Sequence, residues 1–491
     1  RMNKKLGANA VYQTIYQILT TITPLITAPF ISRMLGAEGL GIYSYTLSIA
    51  SYFMLFAMLG VTNYGCRTVA ASPDNKEQRS KTFWNIFALQ LFCSVLAVAG
   101  YIFYVAFAAK DNLMVALVQG IWVLSCALDI NWFFFGIENF KVTVTRNIIV
   151  KIITVAAILV FVNKQTGVLM YTAIMAVGNF MSQVVLWPFL KKEIGWYPPE
   201  WKEVKRHIKP NLILFVPVIA SSIYHVMDKT MLGALSTYQE LGCYYNSDKV
   251  INIPIGIFNG LGTVFMARIS SMAVKDSESH ISRLLSKSLE LYIFIGCALA
   301  FGIGSVSKEF IPVFFGAGYE RCITLMWVFC PILIVKTYSI YMGTEYFLPA
   351  RMEEKYTVAI ICGAAVNFVS NSLLIPRQGA FGAALGTLAA ELSVTCILHF
   401  GYFRKSSWHD KKSWIKCTPY FVFGVIMYFA VRVASHTHLN RLAGLLFEIV
   451  VGAVCYLLLS AVYWRINPES GLSSIVKQSL RDIRKKLKAN S

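Results

Sequence analysis

Lys151, Lys336 and Glu391 each stand inside an apolar run long enough to cross a bilayer. A charge at that depth costs about 2.5–3.5 kcal/mol on insertion scales, so each needs a partner or a ligand. At roughly 1.5 Å per helical residue, Lys151 lies roughly 13 Å in from the inner end of its span. Lys336 falls in the inner half and Glu391 near the middle, while Arg67, Arg146 and Arg268 stand nearer the inner surface. Together these cations form an inner funnel that could contact a substrate or an ion. The competing readings are that the arginines snorkel to the interface and that Lys336 pairs with Glu391.

A second cluster occupies the outer half: His225, Asp228, Lys229, Asp248 and Lys249. Sequence neighbours on a helix do not face each other, so Asp228 and Lys229 must look elsewhere. Arg33 is expected to pair with Asp228 or Asp248 as an outer latch, and Asp228, Asp248 or Glu391 could bind H⁺ or Na⁺. Gln13 and Gln17 belong to a stripe of amides and hydroxyls on the first span, and Tyr45 and Tyr52 join Ser44, Ser48 and Ser51 on the second. Steps of three and four residues put such groups on one helix face. They line a cavity that holds water or a polar ligand, or they bond between helices.

The elements that carry these residues follow from composition. Of 491 residues, 56% are hydrophobic and 14% charged, against about 25% charged in soluble proteins. The apolar residues gather into about fourteen blocks that can each span a hydrocarbon core roughly 30 Å thick. The expected architecture is an all-α polytopic membrane protein. The first block, about 27 residues, is too long for the core of a cleavable signal. The net charge of +20 is not a nucleic-acid footprint. About 34 of the 45 Lys and Arg lie at the N-terminus, the even-numbered loops, the helix ends beside them and the C-terminal tail, against about 8 in the odd-numbered loops. That asymmetry places both termini in the cytoplasm.

Leu35-Gly36-Ala37, Gly41-Ile42-Tyr43 and Arg67 are echoed by Leu232-Gly233-Ala234, Gly242-Cys243-Tyr244 and Arg268. The repeat divides the chain into a first six-helix lobe (1–191), an interfacial linker (192–206), a second six-helix lobe (207–404), a further helix pair (405–465) and a basic amphipathic tail (466–491). An even number of spans per lobe makes the repeat parallel, and carriers of this kind bind substrate between lobes. Trp196 and Trp201 suit a linker at headgroup level. The tail suits anionic lipid.

The outer loops are too short for a catalytic domain, and no DxD, HExxH, GxSxG or Walker-type motif occurs; an enzyme is not expected. His436 and His438 have no third ligand nearby, so no metal site is expected. The eleven cysteines form no CxxC pair and read as packing residues.

Several stretches resemble one family. Arg33-Met34-Leu35-Gly36-Ala37-Glu38-Gly39-Leu40-Gly41-Ile42-Tyr43, Asn63-Tyr64-Gly65-Cys66-Arg67, Asp129-Ile130-Asn131-Trp132-Phe133-Phe134-Phe135-Gly136-Ile137-Glu138 and Asp228-Lys229-Thr230-Met231-Leu232-Gly233 are similar to the Wzx-type flippases of the polysaccharide transporter family. That superfamily also holds MATE drug exporters and lipid II flippases. The resemblance implies a MATE-like pair of lobes and export of undecaprenyl-diphosphate-linked oligosaccharide repeat units by alternating access. It also implies a bacterial plasma (inner) membrane, a monomer among membrane lipids, no cofactor, and helices 13 and 14 as a groove for the lipid tail. The drive would be the membrane potential or coupling to H⁺ or Na⁺. The alternative is a MATE-like antiporter of organic cations, which would favour acidic residues and aromatics over Lys151 and Lys336.

Overall fold

The computed structural model describes residues 2–72, 75–109, 111–275, 278–408, 410, 413–436, 440–467, 470, 472 and 473; the side chains of 2–22, 24, 25, 216, 217, 220, 221, 223–225, 274 and 275 lie outside that description. The described chain is helical throughout, with no strand. In order the helices are α1 (Met2–Met58), α2 (Val61–Ala70), α3 (Lys76–Phe107), α4 (Leu113–Ser125), α5 (Asn131–Gly136), α6 (Phe140–Phe161), α7 (Gly167–Val184), α8 (Trp187–Glu193), α9 (Trp201–Leu235), α10 (Tyr238–Lys275), α11 (Glu278–Phe314), α12 (Glu320–Tyr341), α13 (Glu353–Gln378), α14 (Ala380–Cys396), α15 (Ser413–Ala434) and α16 (Arg441–Ile466). Among the described residues, twelve segments are long and apolar enough to cross a membrane, with Ile26–Ala70 counted once.

Breaks in the helices have local causes. Gly36 divides α1 with φ 68° and ψ 177°, a conformation closed to residues with a Cβ. Nothing lies within 4 Å of the place a Cβ would take there, so backbone conformation rather than crowding calls for glycine. Leu59 (φ 40°) and Gly60 (φ 80°) separate α1 from α2. The Asn75 side chain caps α3 by accepting from the Glu77 N–H at 2.9 Å, which satisfies a donor the helix cannot. α12 runs into a π-helical turn, Met342–Phe347, and α14 into another, Ile397–Tyr402.

By its internal contacts the chain forms two compact units, Arg1–Tyr245 and Asn246–Ser491. The boundary falls inside α10, downstream of the linker. In the first unit α1 packs on α3, α4, α6 and α9. Its aromatic core holds Phe83, Trp132, Phe133 and Phe134; a Cβ on Gly65 would come within 2.5 Å of the Trp132 ring. In the second unit α11 packs on α12, α15 and α16, and α13 on α14. At Gly386 a Cβ would fall 2.1 Å from Asn371 Oδ1.

Many of the largest apolar side chains face outward, among them Phe103, Phe107, Val160 and Val433. Water would penalise so much exposed apolar surface, whereas lipid accepts helices whose backbone groups are satisfied internally. All eleven cysteines are free.

The linker is docked along the start of α3. Trp84 donates from Nε1 to the Gly195 carbonyl at 2.9 Å, and the Gly195 N–H donates to Ser80 Oγ at 2.9 Å. The Trp84 and Trp196 rings lie 4.4 Å apart, and the Glu200 N–H donates to Asn85 Oδ1 at 2.9 Å. Lys81 Nζ lies 3.5 Å from Glu200. The Tyr197 hydroxyl and the Lys81 ammonium hold the Glu200 carboxyl below its ordinary range. Of the tail, Ser470 donates to Glu290 Oε1 at 2.5 Å and Ser473 to the Trp464 carbonyl at 3.0 Å. The expected amphipathic face beyond residue 473 lies outside the described residues.

Candidate functional site

The first unit carries a seam where α1 meets the end of α9 and the start of α10. A Cβ on Gly41 would sit 1.8 Å from the Tyr238 carbonyl oxygen, and one on Gly242 would sit 1.7 Å from that of Ala37. The two contacts are reciprocal, since each glycine meets the residue four places before its counterpart. This is what a local two-fold axis between the repeated Gly-x-Tyr stretches produces. Tyr43 is buried beside it, 4.7 Å from the Tyr171 ring and 6.3 Å from that of Tyr245. Only glycine lets the two backbones approach so closely.

The hydroxyl stripe of the second span faces the same helix. Thr230 Oγ1 donates to Ser48 Oγ at 3.2 Å. The ring of Tyr45 covers Gly233, where a Cβ would come within 2.2 Å, and packs on Tyr238 at 5.7 Å. Tyr52 is half-buried beside Thr230 and Asp228. Asp228 is buried and accepts from the Tyr244 hydroxyl at 2.8 Å. The Lys229 ammonium stands over the Tyr245 ring at 5.7 Å. Asp228, Lys229, Tyr45 and Tyr52 thus gather around the seam. Arg33 is exposed on α1. The side chains of Gln13, Gln17 and His225 lie outside the described residues. In the second unit Asp248 accepts from Asn252 at 2.8 Å, and Lys249 is half-buried on the same helix.

The expected cationic funnel resolves into separate fates. Arg146 is buried and its guanidinium is taken up by a polar network. It donates to the Ser182 carbonyl and, at 2.6 Å, to Asn131 Oδ1. Asn131 Nδ2 donates to Asp129 Oδ1 at 2.7 Å and to Gln183 at 3.0 Å. Gln90 donates to the Cys126 and Asp129 carbonyls at 2.7 and 2.8 Å and accepts from Trp132 Nε1 at 2.9 Å. The Asp129–Gly136 motif is therefore a structural core, held by amides the sequence does not mark out. Lys336 Nζ lies 3.4 Å from Glu391 Oε1, with side-chain exposures of 18% and 6%. Arg67 and Arg268 are exposed. Lys151 is half-buried on α6 and forms no hydrogen bond or ion pair among the described residues.

An apolar cavity of about 510 Å³ opens between α11, α15 and α16, lined by residues that include Phe294, Leu299, Met427, Ala453 and Leu457. Its wall also carries Glu448. Nearby, Arg432 donates to Glu309 at 2.9 Å. Sequence reasoning passed over Glu345, Glu290 and Glu448, all buried. Each lies in an apolar run, and that run is the signal by which it could have been found.

Residues 6–273, more than half the chain, match the family described as "Polysaccharide biosynthesis protein". The chain belongs to that family. It is 22% identical over 403 residues to the "Putative O-antigen transporter" of Escherichia coli (strain K12), spanning 80% of this chain and 95% of that one. Among solved structures, the lipid II flippase MurJ in an inward closed conformation superposes with a TM-score of 0.72 at 15% identity, covering 93% of this chain and 99% of that one. An inward-facing MATE multidrug transporter of the MOP superfamily superposes at 0.62 and 13% identity, covering 81% and 98%. The fold is that of these transporters, and the chain is a multi-pass membrane protein of the polysaccharide biosynthesis family.

Proposed function

We propose that the chain moves an undecaprenyl-diphosphate-linked oligosaccharide unit from the inner to the outer leaflet of a bacterial plasma membrane, by alternating access, with both termini in the cytoplasm. It acts as a transporter and not an enzyme, as a monomer and without a cofactor. The observation that carries this reading is Lys151, a half-buried mid-span cation with no protein partner among the described residues. A diphosphate on a glycan cannot enter hydrocarbon without groups to replace its hydration, and a lysine paired to nothing can supply one. The apolar cavity on α11, α15 and α16 fits a polyprenyl tail. The name of the Escherichia coli relative supports a glycan cargo.

Direction follows from charge. Two negative charges moving out of a negative interior gain about 4.6 kcal/mol at 100 mV, from about 2.3 kcal/mol per charge. The test is flipping of a fluorescent undecaprenyl-diphosphate oligosaccharide in proteoliposomes at a clamped potential. Lys151→Arg is expected to keep most of the rate, and Lys151→Ala to lose at least ten-fold. Equal rates for wild type and Lys151→Ala would overturn the phosphate role.

A further inference from the structure

Glu345 is fully buried in the second unit, inside the π-helical turn that follows α12. Its Oε2 accepts from the Ser288 hydroxyl on α11. Its Oε1 accepts no hydrogen bond. The hydroxyl of Tyr292 stands beside the carboxyl but donates to the Phe258 carbonyl on α10 at 3.2 Å. Tyr341 donates to the Leu285 carbonyl at 3.1 Å. No cation answers the charge, since Glu345 forms no ion pair among the described residues.

The titratable groups around it are committed elsewhere. They are Tyr292 from α11, Tyr341 on its own helix, Tyr356 of α13 against Gly343, His399 bonded to Tyr338 at 2.6 Å, and the Lys336–Glu391 pair. An ionised carboxylate here would be a buried charge with one oxygen unanswered, a cost of several kcal/mol. A proton on the carboxyl removes that charge and leaves the neighbouring bonds intact, with Ser288 donating to Oε2 and the Tyr292 hydroxyl beside the carboxyl donating to Phe258. A metal ion is a poorer fit, because no group of three metal-ligating side chains occurs among the described residues.

We propose that Glu345 is a proton-binding site: its carboxyl carries a proton in this conformation and gives it up when α11 and the π-turn separate. Single π-turns often mark functional points of a helix, and this one presents the carboxyl to Ser288 and Tyr292. The proposal adds a proton to the flippase reading and rests on it for its link to transport, but proton binding itself is measured without substrate.

The experiment is infrared difference spectroscopy of the full chain in lipid nanodiscs across a pH titration. Wild type is expected to show a protonated carboxyl band that is absent in Glu345→Gln, is displaced but kept in Glu345→Asp, and is unaffected by Glu353→Gln at an exposed position. An unchanged set of bands in Glu345→Gln, or a band removed by Na⁺ at constant pH, would overturn it. In proteoliposomes the accumulation ratio of the labelled lipid should shift about ten-fold per unit of pH difference for one proton per cycle. Glu345→Gln should lose that dependence and keep the response to potential. An intact pH response in this variant would overturn the coupling. Failure of wild type to flip the lipid would instead strike at the substrate, leaving the infrared result to decide the proton site.

Discussion

Gly41→Ala places a methyl group 1.8 Å from the Tyr238 carbonyl oxygen. The closest comfortable carbon–oxygen approach is about 3.3 Å, so the two backbones must part by about 1.5 Å. Neither side is a flexible side-chain end that could swing away, and α1 is held in addition by α3, α4 and α6. Overpacking of this kind costs about 1–3 kcal/mol, which lowers the population of the closed seam roughly 5- to 150-fold. A drop in Tm of roughly 2–10 °C is expected for a unit of this size. Gly242→Ala, 1.7 Å from the Ala37 carbonyl oxygen, should do the same. Because both methyl groups wedge one seam, the double variant should cost less than the sum of the singles by about 1 kcal/mol. Differential scanning fluorimetry of the four proteins gives the cycle, and flipping rates show whether the seam must close. An unchanged Tm in Gly41→Ala, or full additivity, would refute the reciprocal packing.

Other substitutions follow from single contacts. Lys336→Ala leaves Glu391 unanswered inside the second unit and should cost about 3 kcal/mol, while Lys336→Met with Glu391→Leu should recover most of that stability; denaturation midpoints of the three variants check it. For the expected latch, Arg33→Glu and Asp228→Arg should each stop flipping and the double swap should restore part of it; no recovery removes the pair. Glu200 is held in its charged form by Tyr197 and Lys81, so docking of the linker is at full strength above the ordinary carboxylate range of about 4 and is lost as pH falls through the lower folded value. Anisotropy of Trp196 fluorescence should fall over that window, and Glu200→Gln should remove the transition.

The run lengths of apolar residues were enough to read an all-helical membrane protein, because a membrane demands continuous helices of a minimum length; against about fourteen expected spans, twelve segments among the described residues are long and apolar enough. The glycine repeat was also legible, since Gly41 and Gly242 share a spacing to Tyr43 and Tyr244. What the repeat does was not: reciprocal backbone contact appears only when the two stretches meet in space. Arg146 illustrates the other limit. Its depth was readable by counting residues, but its direction was set by Asn131 and Ser182, which come from other helices. The Lys336–Glu391 pair was one of two readings the sequence left open. The apolar run around Glu345 marked it as deep, but a lone glutamate between Thr344 and Tyr346 gives no sign of the π-turn that turns it toward Ser288.

The bond between Lys336 and Glu391 also bears on how the protein is made. Their helices leave the ribosome separately, with all of α13 between them, and each would enter lipid carrying a charge worth about 2.5–3.5 kcal/mol against insertion. α12 should therefore linger at the translocon until α14 emerges, so that the two partition as a neutral bundle. A chain lacking either residue would present the membrane quality-control proteases with a stalled intermediate long before any cargo could be carried.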